Sequence, residues 1–228
     1  MLRVIKAIVF DFDGVILDSE RMMYLAMQEM FHNYHVDLPF SVWSEAISGR
    51  GGDFDAAGYV QEQSGVSIDR ISFLAEQERR FQQLMDHEDV LPGVKSLIDQ
   101  AERRGLKIGL AASSPAEWVY HHLKRLSLSK YFLSIQTKND VKRVKPDPSL
   151  YLQTLKNLGV APNEAIAFED SVNGVVAAKR AGLFCIAVPS AVTKQLPFGY
   201  ADGCFNSLKD IALEKLINYL APPLHLVQ

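Results

Sequence analysis

The chain has 228 residues, of which 48% are hydrophobic and 22% are charged, as in ordinary water-soluble globular domains. The net charge is −3 without any block of like charges, which does not favour a nucleic-acid partner. The sequence shows neither a cleavable N-terminal signal nor an apolar run of membrane-spanning length, so we expect a cytoplasmic, enzyme-like domain.

Five short apolar segments, rich in β-branched residues, are predicted strands. In chain order they are IKAIVF (5–10), LKIGLAA (106–112), FLSIQT (132–137), AIAFED (165–170) and LFCIAV (183–188). Segments of helix length separate the later ones, which is typical of βαβ units around a parallel sheet. We therefore predict an α/β fold with a Rossmann-like parallel-sheet core.

The segment between the first two predicted strands breaks this alternation. From about Ser19 to Glu88, apolar residues recur at spacings of three and four, which predicts helices rather than buried strands. An insertion of roughly seventy residues is far longer than a loop, so we predict an inserted α-helical cap domain. The predicted domains are a core over residues 1–17 and 91–228 and a cap over residues 18–90.

Two aspartates directly follow the first predicted strand, in the stretch FDFDG. Carboxylates are costly to bury without a partner, and residues two apart in an extended chain point to the same side. Asp11 and Asp13 could therefore present their carboxylates to one site. The alternative is that Asp13-Gly14 is a hairpin turn, although the residues that follow lead into the helical insertion.

Polar residues also follow the other predicted strands: Ser113, Ser114, Lys145, Glu169 and Asp170. The carboxyl ends of parallel strands share one edge, where ligands bind, so these side chains should converge with the two aspartates. Acids that are close together repel one another and raise one another's pKa. A hard cation bound by oxygen ligands, such as Mg²⁺, would relieve that repulsion.

Several of these residues also have an ordinary structural explanation. The stretch SPAE predicts a helix start with Ser114 as the N-cap and Glu117 completing a capping box. Ser113, one residue earlier, is then freer to face a ligand, and the N–H groups of the helix start favour an anion. A surface lysine such as Lys145 is usually only solvated, and the segment 169–171 could be a strand end followed by a helix cap.

Four stretches carry a family resemblance, in the order DFDGVILDSE, LAASSP, VKPDPSLY and FEDSVNGVVAAKRAG. They resemble the four motifs of the haloacid dehalogenase superfamily, within its β-phosphoglucomutase-like and phosphoglycolate phosphatase-like group with a helical cap. The resemblance covers essentially the whole chain. It implies a Mg²⁺-dependent phosphatase that acts on small phosphorylated metabolites, sugar phosphates above all, through an aspartyl-phosphate.

The resemblance also implies residue roles. Asp11 would attack the phosphorus, and Asp13 would protonate the leaving oxygen and then deprotonate the attacking water. Mg²⁺ would bind Asp11, the main-chain carbonyl of Asp13 and Asp170, with Glu169 in or just outside that shell. The transferring phosphoryl group would be bound by Ser113, Ser114 and Lys145. Metal-independent dehalogenases of this superfamily lack the second aspartate, so its presence favours a phosphate substrate.

Three positions relate less simply to the family pattern. A gapless alignment of LAASSP could place Ala112, rather than Ser113, where a hydroxyl usually contacts phosphate. Met23 stands where β-phosphoglucomutases have a histidine that helps couple substrate binding to closure of the cap domain. Arg50 resembles the cap-loop arginine offered to the substrate's distal phosphate or acid group, with a solvated loop charge as the alternative.

Other functions stay open at this point. Within enzymes, the alternative is a phosphosugar mutase of the β-phosphoglucomutase type. A phosphate-responsive signalling module and an inactive binding protein are alternatives outside enzymes, although receiver domains are much shorter and lack such an insertion. We assign no metal to His121 and His122, which we expect at a helix surface, and we expect Cys185 and Cys204 to fill core space without a disulfide.

Overall fold

The computed structural model describes residues 4–48 and 54–221. Within these residues, six strands form one parallel sheet in the order β3-β2-β1-β4-β5-β6. The strands are β1 Ala7–Phe10, β2 Lys107–Ala111, β3 Ser134–Gln136, β4 Ala165–Glu169, β5 Phe184–Ala187 and β6 Gly203–Cys204. The predicted α/β class with a Rossmann-like parallel sheet is confirmed.

The helices of the described residues are, in chain order, α1 Ser19–His32, α2 Phe40–Ser48, α3 Ala56–Ser64, α4 Arg70–Met85, α5 Val94–Arg103, α6 Ala116–Arg125, α7 Ser149–Leu158, α8 Val172–Arg180 and α9 Leu213–Leu220. Short 3₁₀ turns lie at Ser129–Tyr131, Lys138–Asp140, Pro162–Glu164 and Leu208–Asp210. No helix in the part of the chain that the structure describes has the length and apolar character needed to cross a bilayer.

The first strand lies at the centre of the sheet. All four residues of β1 are buried, because β2 pairs with it on one side and β4 on the other. Phe10 stands opposite Leu110 of β2 and Phe168 of β4, so the carboxyl ends of the three strands lie side by side. This register fixes where the residues after each strand are placed.

The chain divides into two compact units. The first comprises the described residues up to Leu17, together with Asp89–Ser190 and the described residues from Pro197 onward. It contains the sheet and the helices from α5 to α9. The second comprises the described residues between Asp18 and Glu88, together with Ala191–Leu196, and contains α1 to α4. That the second unit acts as a cap domain stays a prediction, as do the predicted domain boundaries.

Each unit has its own apolar core. In the first unit, α7 packs on the sheet through buried residues that include Leu150, Tyr151 and Leu155. In the second unit, aromatic residues dominate the core, with Phe31 in contact with three other aromatic rings. Burial of each such side chain stabilises the folded state by about 1.5–3 kcal/mol, so each unit has an apolar core that stabilises its fold.

Two minor expectations about single residues need correction. Cys185 on β5 is buried as expected, but Cys204 on β6 is exposed, because this short strand lies at the edge of the sheet. Both thiols are free. His122 is fully buried on the inner side of α6 rather than at its surface.

Candidate active site

Three acids lie together at the carboxyl edge of the sheet. Asp11 follows β1, Glu169 ends β4, and Asp170 comes next; all three are buried. Each offers a carboxylate oxygen within 4.8 Å of the others. The pairing of β1 with β4 continues through the main-chain N–H of Asp11, which donates to the carbonyl of Phe168 at 3.0 Å. The sheet register therefore brings these three predicted residues together.

Lys145 contacts two of these acids. Its Nζ lies 2.7 Å from Oδ1 of Asp11 and 2.6 Å from Oε1 of Glu169, and its side chain is only 4% exposed. Burial by itself would lower the pKa of Lys145, but the opposite charges of Asp11 and Glu169 raise it above the usual lysine value. The solvated surface lysine that we held as an alternative is therefore wrong.

The charge balance of this group suits a further cation. Burial raises the pKa of Asp11 well above its usual value, and the charge of Glu169 adds to the rise. Lys145 and the N–H of Phe12, which donates to Oδ1 of Asp11 at 2.7 Å, act in the opposite direction without cancelling the rise. Buried carboxylate oxygens with uncompensated negative charge are the donor set that Mg²⁺ prefers. The residues present therefore fit the implied metal.

Glu169 is held by donors from three directions. Oε1 accepts from the hydroxyl of Tyr151 at 2.5 Å as well as from Lys145, and Oε2 accepts from the hydroxyl of Ser171 at 3.3 Å. Tyr151 lies on the buried face of α7. Its pKa is raised well above the usual tyrosine value, chiefly by burial and then by the negative charges of Glu169 and Asp11. Sequence reasoning missed Tyr151; its only signal was an aromatic residue on the helix that follows Lys145.

Two glycines make room for the acids. Gly14, in the turn after β1, has φ +76°, and a Cβ there would lie 2.0 Å from Oδ2 of Asp170. Gly174, in the first turn of α8, would place a Cβ 1.8 Å from Oε2 of Glu169. Any side chain at either position would displace the neighbouring carboxylate.

Asp13 is half-buried and has its own hydrogen-bond donors. The hydroxyl of Ser114 donates to Oδ2, and the indole Nε1–H of Trp118 donates to Oδ1 at 3.2 Å. Both donors come from the segment after β2, which lies beside β1 in the sheet. The predicted convergence of the second motif with the first is thus realised through Ser114. The contribution of Trp118 was not predicted.

The prediction that Ser114 caps α6 is wrong. The helix begins at Ala116 and has Pro115 at its N-cap position. No side-chain hydrogen bond caps the helix there. The main-chain N–H of Ala116 instead donates to Oδ1 of Asn139 at 2.9 Å. Ser114 lies one residue too early to cap, which leaves its hydroxyl to contact Asp13. By contrast, Ser171 does cap α8, where it accepts from the N–H of Gly174 at 3.0 Å.

The remaining predicted residues have different surroundings. Ser113 is exposed and lines an open cavity of about 770 Å³ together with basic residues that include Lys142 and Arg180. Ala112 is fully buried. Met23 lies on α1, where its sulfur is 3.5 Å from Nε2 of Gln77 within the helical unit. Arg50 lies outside the described residues.

An α/β fold in which buried acids lie at the ends of the neighbouring strands β1 and β4, two of them paired with a lysine, provides a candidate site for acid and metal chemistry. Residues 8–188 match the model of the haloacid dehalogenase-like hydrolase family. The chain therefore belongs to this family of hydrolases, as the four motifs indicated.

Named relatives and a solved structure agree with this assignment. The chain is 45% identical over 216 residues to YhcW of Bacillus subtilis, a protein provisionally named a phosphatase, covering 95% of this chain and 98% of that protein. It is 30% identical to the phosphorylated carbohydrates phosphatase of Thermotoga maritima, covering 78% and 82%. The crystal structure of CbbY from Rhodobacter sphaeroides in complex with phosphate has a TM-score of 0.68 at 29% identity, covering 92% and 97%.

Proposed function

We propose that this protein is a Mg²⁺-dependent phosphatase that hydrolyses small phosphorylated metabolites, chiefly sugar phosphates, through an aspartyl-phosphate on Asp11. One observation carries the proposal: Asp11 is buried at the edge of the sheet with Lys145 at 2.7 Å and two further acids close by. A carboxylate in these surroundings has a cation for phosphate oxygens beside it and ligands for a metal next to it.

The substrate class draws support from the relatives. One is named a phosphatase of phosphorylated carbohydrates, and another is provisionally named a phosphatase. The exposed Ser113 and the basic residues around its cavity offer further positive charge in the same unit of the chain. We therefore favour anionic phosphomonoesters over halogenated acids as substrates.

The first half of the reaction forms the covalent intermediate. An oxygen of the Asp11 carboxylate forms a bond to phosphorus while the bond from phosphorus to the leaving oxygen breaks. Asp13 donates a proton to that leaving oxygen, so the alcohol departs neutral. Lys145, already in contact with Asp11, offsets the negative charge that gathers around the transferring phosphoryl group.

The second half releases phosphate. Asp13, now a carboxylate, takes a proton from a water molecule, whose oxygen bonds to phosphorus while the bond to Asp11 breaks. This step regenerates the carboxylate of Asp11 and the proton on Asp13. Asp11, the main-chain carbonyl of Asp13 and Asp170 would hold Mg²⁺, which when bound supplies positive charge against the repulsion between these acids and the phosphate. Glu169, with donors on both oxygens, would lie at the rim of this group and orient Lys145.

A screen of phosphorylated metabolites for release of inorganic phosphate tests the proposal. With Mg²⁺ present, we expect release from several sugar phosphates. During turnover, denatured protein should carry a phosphoryl group that is absent from the Asp11→Asn variant. Failure of the folded protein to release phosphate from any phosphomonoester would contradict the proposal, and so would release without a phosphorylated protein species.

A further inference from the structure

Resting on the proposed function, we propose that Trp118 is a positioning residue that holds the carboxylate of Asp13 in the orientation needed for proton transfer to the leaving group. The indole Nε1–H donates to Oδ1 of Asp13 at 3.2 Å, while the hydroxyl of Ser114 donates to Oδ2. A carboxylate bound on both oxygens from two residues of one segment cannot rotate without breaking a hydrogen bond.

Trp118 is itself held in place. It lies in the first turn of α6, half-buried, and its ring meets the ring of His122 edge-on, with centroids 4.2 Å apart and planes at 70°. His122 is fully buried one turn further along the helix and accepts from Nε of Arg125 at 3.3 Å. The indole is therefore anchored on the helix and can hold Asp13 at little further cost in side-chain entropy.

The two donors differ in what they allow. An indole N–H can only donate, so Oδ1 of Asp13 stays an acceptor whether or not the carboxyl carries a proton. A hydroxyl can donate or accept, so Ser114 tolerates a proton on Oδ2. The indole N–H and the Ser114 hydroxyl therefore fix the plane of the Asp13 carboxyl group, and each of its oxygens keeps a lone pair free for proton exchange with the leaving oxygen or with water. Trp118 acts through Asp13 alone.

Substrates with different leaving groups distinguish a positioning role of Trp118 from a role in packing alone. Release of an alcohol depends on protonation, whereas release of p-nitrophenolate hardly does. The comparison uses kcat/KM, which reports the steps up to release of the leaving group and not the later hydrolysis of the aspartyl-phosphate, a step that needs Asp13 for every substrate. In Trp118→Phe, which keeps an aromatic ring against His122, we expect kcat/KM to fall about 10- to 100-fold for the alkyl phosphate that the wild-type protein hydrolyses best, the size of a lost hydrogen bond to a charged group. For p-nitrophenyl phosphate we expect a fall in kcat/KM of less than about threefold, because p-nitrophenolate leaves without a proton from Asp13.

Trp43→Phe is the matched control, since Trp43 and Trp118 are the two tryptophans of the sequence and Trp43 lies in the core of the helical unit. It should leave the ratio of the two activities unchanged. Equal losses for both substrates in Trp118→Phe would overturn the inference while leaving the proposed function intact. Absence of activity on every phosphomonoester from the wild-type protein would instead count against the proposed function.

A second measurement does not depend on catalysis or on the folding of Trp118→Phe. In a Trp43→Phe background, Trp118 is the remaining tryptophan, so its fluorescence reports on its own surroundings. Asp13→Ala in that background removes the acceptor of its N–H, and we expect a shift in the emission maximum. An unchanged emission spectrum in the folded variant would overturn the contact on which the inference rests.

Discussion

Lys145 and the three acids around it form a group of charges that the fold alone does not require. Burial of such charges is costly, and an apolar set of the same shape would serve stability at least as well. The proposed nucleophilic attack by Asp11 would need a cation beside it, and the acids need a metal or the lysine between them. The arrangement of this group is therefore better explained by chemistry than by stability.

Asp11→Asn tests the nucleophile directly. An amide cannot form the acyl-phosphate, so we expect kcat to fall by at least about 10³-fold. Because burial raises the pKa of Asp11, the charged form is disfavoured in the folded state, and that cost grows as pH rises from about 4 through the raised pKa. The variant should therefore be at least as stable as the metal-free wild type at neutral pH, measured by denaturant unfolding.

The exposed Asp99 on α5 provides the control for that substitution. Asp99→Asn should keep both activity and stability. A folded Asp11→Asn variant that retained substantial turnover would show that another residue attacks the phosphorus.

Tyr151→Phe tests the support of Glu169. The change removes a buried hydroxyl that donates to Oε1 at 2.5 Å and leaves the ring in place. We expect a loss of about 1–2 kcal/mol in the free energy of unfolding. We also expect the Mg²⁺ concentration for half-maximal activity to rise about tenfold, as for other residues that orient metal-site carboxylates. Titration of activity against Mg²⁺ measures this.

Tyr120→Phe is the control for Tyr151→Phe, because Tyr120 is 50% exposed on α6. Loss of this exposed hydroxyl should change neither the free energy of unfolding nor the Mg²⁺ concentration for half-maximal activity. An unaltered Mg²⁺ requirement in Tyr151→Phe would mean that Glu169 is held well enough by Lys145 and Ser171.

At the scale of single elements, the turn after β1 joins backbone conformation to the site. Gly14 adopts a positive φ there, and its Cα packs where a side chain would strike Asp170. The turn is closed by a hydrogen bond from the N–H of Gly14 to the carbonyl of Leu17 at 2.7 Å. The hairpin turn that Asp13-Gly14 could have formed is not what these residues make, because the chain leads into α1 and not into a paired strand.

Gly14→Ala should therefore impair the metal site beyond its effect on the backbone. Both Gly14 and Gly105 have positive φ, but a Cβ at Gly105 would have no atom within 4 Å. We expect Gly14→Ala and Gly105→Ala each to lose about 1–2 kcal/mol of stability from the left-handed conformation. In Gly14→Ala alone, we expect the Mg²⁺ requirement to rise at least about tenfold. Equal Mg²⁺ requirements in the two variants would remove the link between this turn and Asp170.

The elements differ in how well the sequence predicts them. The five predicted strands match β1 to β5. The signal is clearest for the fully buried β1 and β4, because a strand buried on both faces needs a largely apolar sequence, whereas β3 itself contains the polar Ser134 and Gln136. The two residues of β6, a glycine and a cysteine, carry no such signal. Ser171 caps its helix as the sequence indicated, whereas Ser114 does not, because local capping patterns say nothing of a competing acceptor such as Asp13 on another strand.

At the scale of the whole molecule, the sequence indicates the site only because the topology places strand ends at one edge. Asp11, Lys145, Glu169 and Asp170 are predicted from their positions after strands, and the parallel register brings them together. Tyr151 and Trp118 escape prediction because they lie within helices, where an aromatic residue usually indicates core packing. Their polar atoms reach the site only through the way that α7 and α6 pack on the sheet.

Chelation tests the metal requirement of the whole protein. Removal of divalent cations should abolish phosphate release, and Mg²⁺ should restore it, because the buried acids would otherwise repel the phosphate. Ca²⁺ should restore little, since it prefers more ligands and a looser geometry. Full activity in the presence of chelator would reopen the metal-independent dehalogenase alternative.

The last prediction separates a phosphatase from a phosphosugar mutase. A mutase must protect its phosphorylated aspartate from water while a sugar bisphosphate reorients in the site. This requires a cap that closes on the substrate and controls the acid–base residue. Met23 has only a thioether, so it cannot make the hydrogen bonds that a histidine would make at that position. We therefore expect cap closure to be weakly coupled to Asp13, and water to hydrolyse the phosphorylated aspartate before a sugar bisphosphate can reorient.

The measurement follows inorganic phosphate and glucose 6-phosphate separately, with β-glucose 1-phosphate as substrate and Mg²⁺ present. It is made with and without a trace of glucose 1,6-bisphosphate, which a mutase needs for priming. Phosphate release from this or other small phosphomonoesters without isomerisation is the expected result. If glucose 6-phosphate formed much faster than phosphate, the mutase alternative would hold, and Met23 would not be the residue that decides between the two fates of the phosphorylated aspartate.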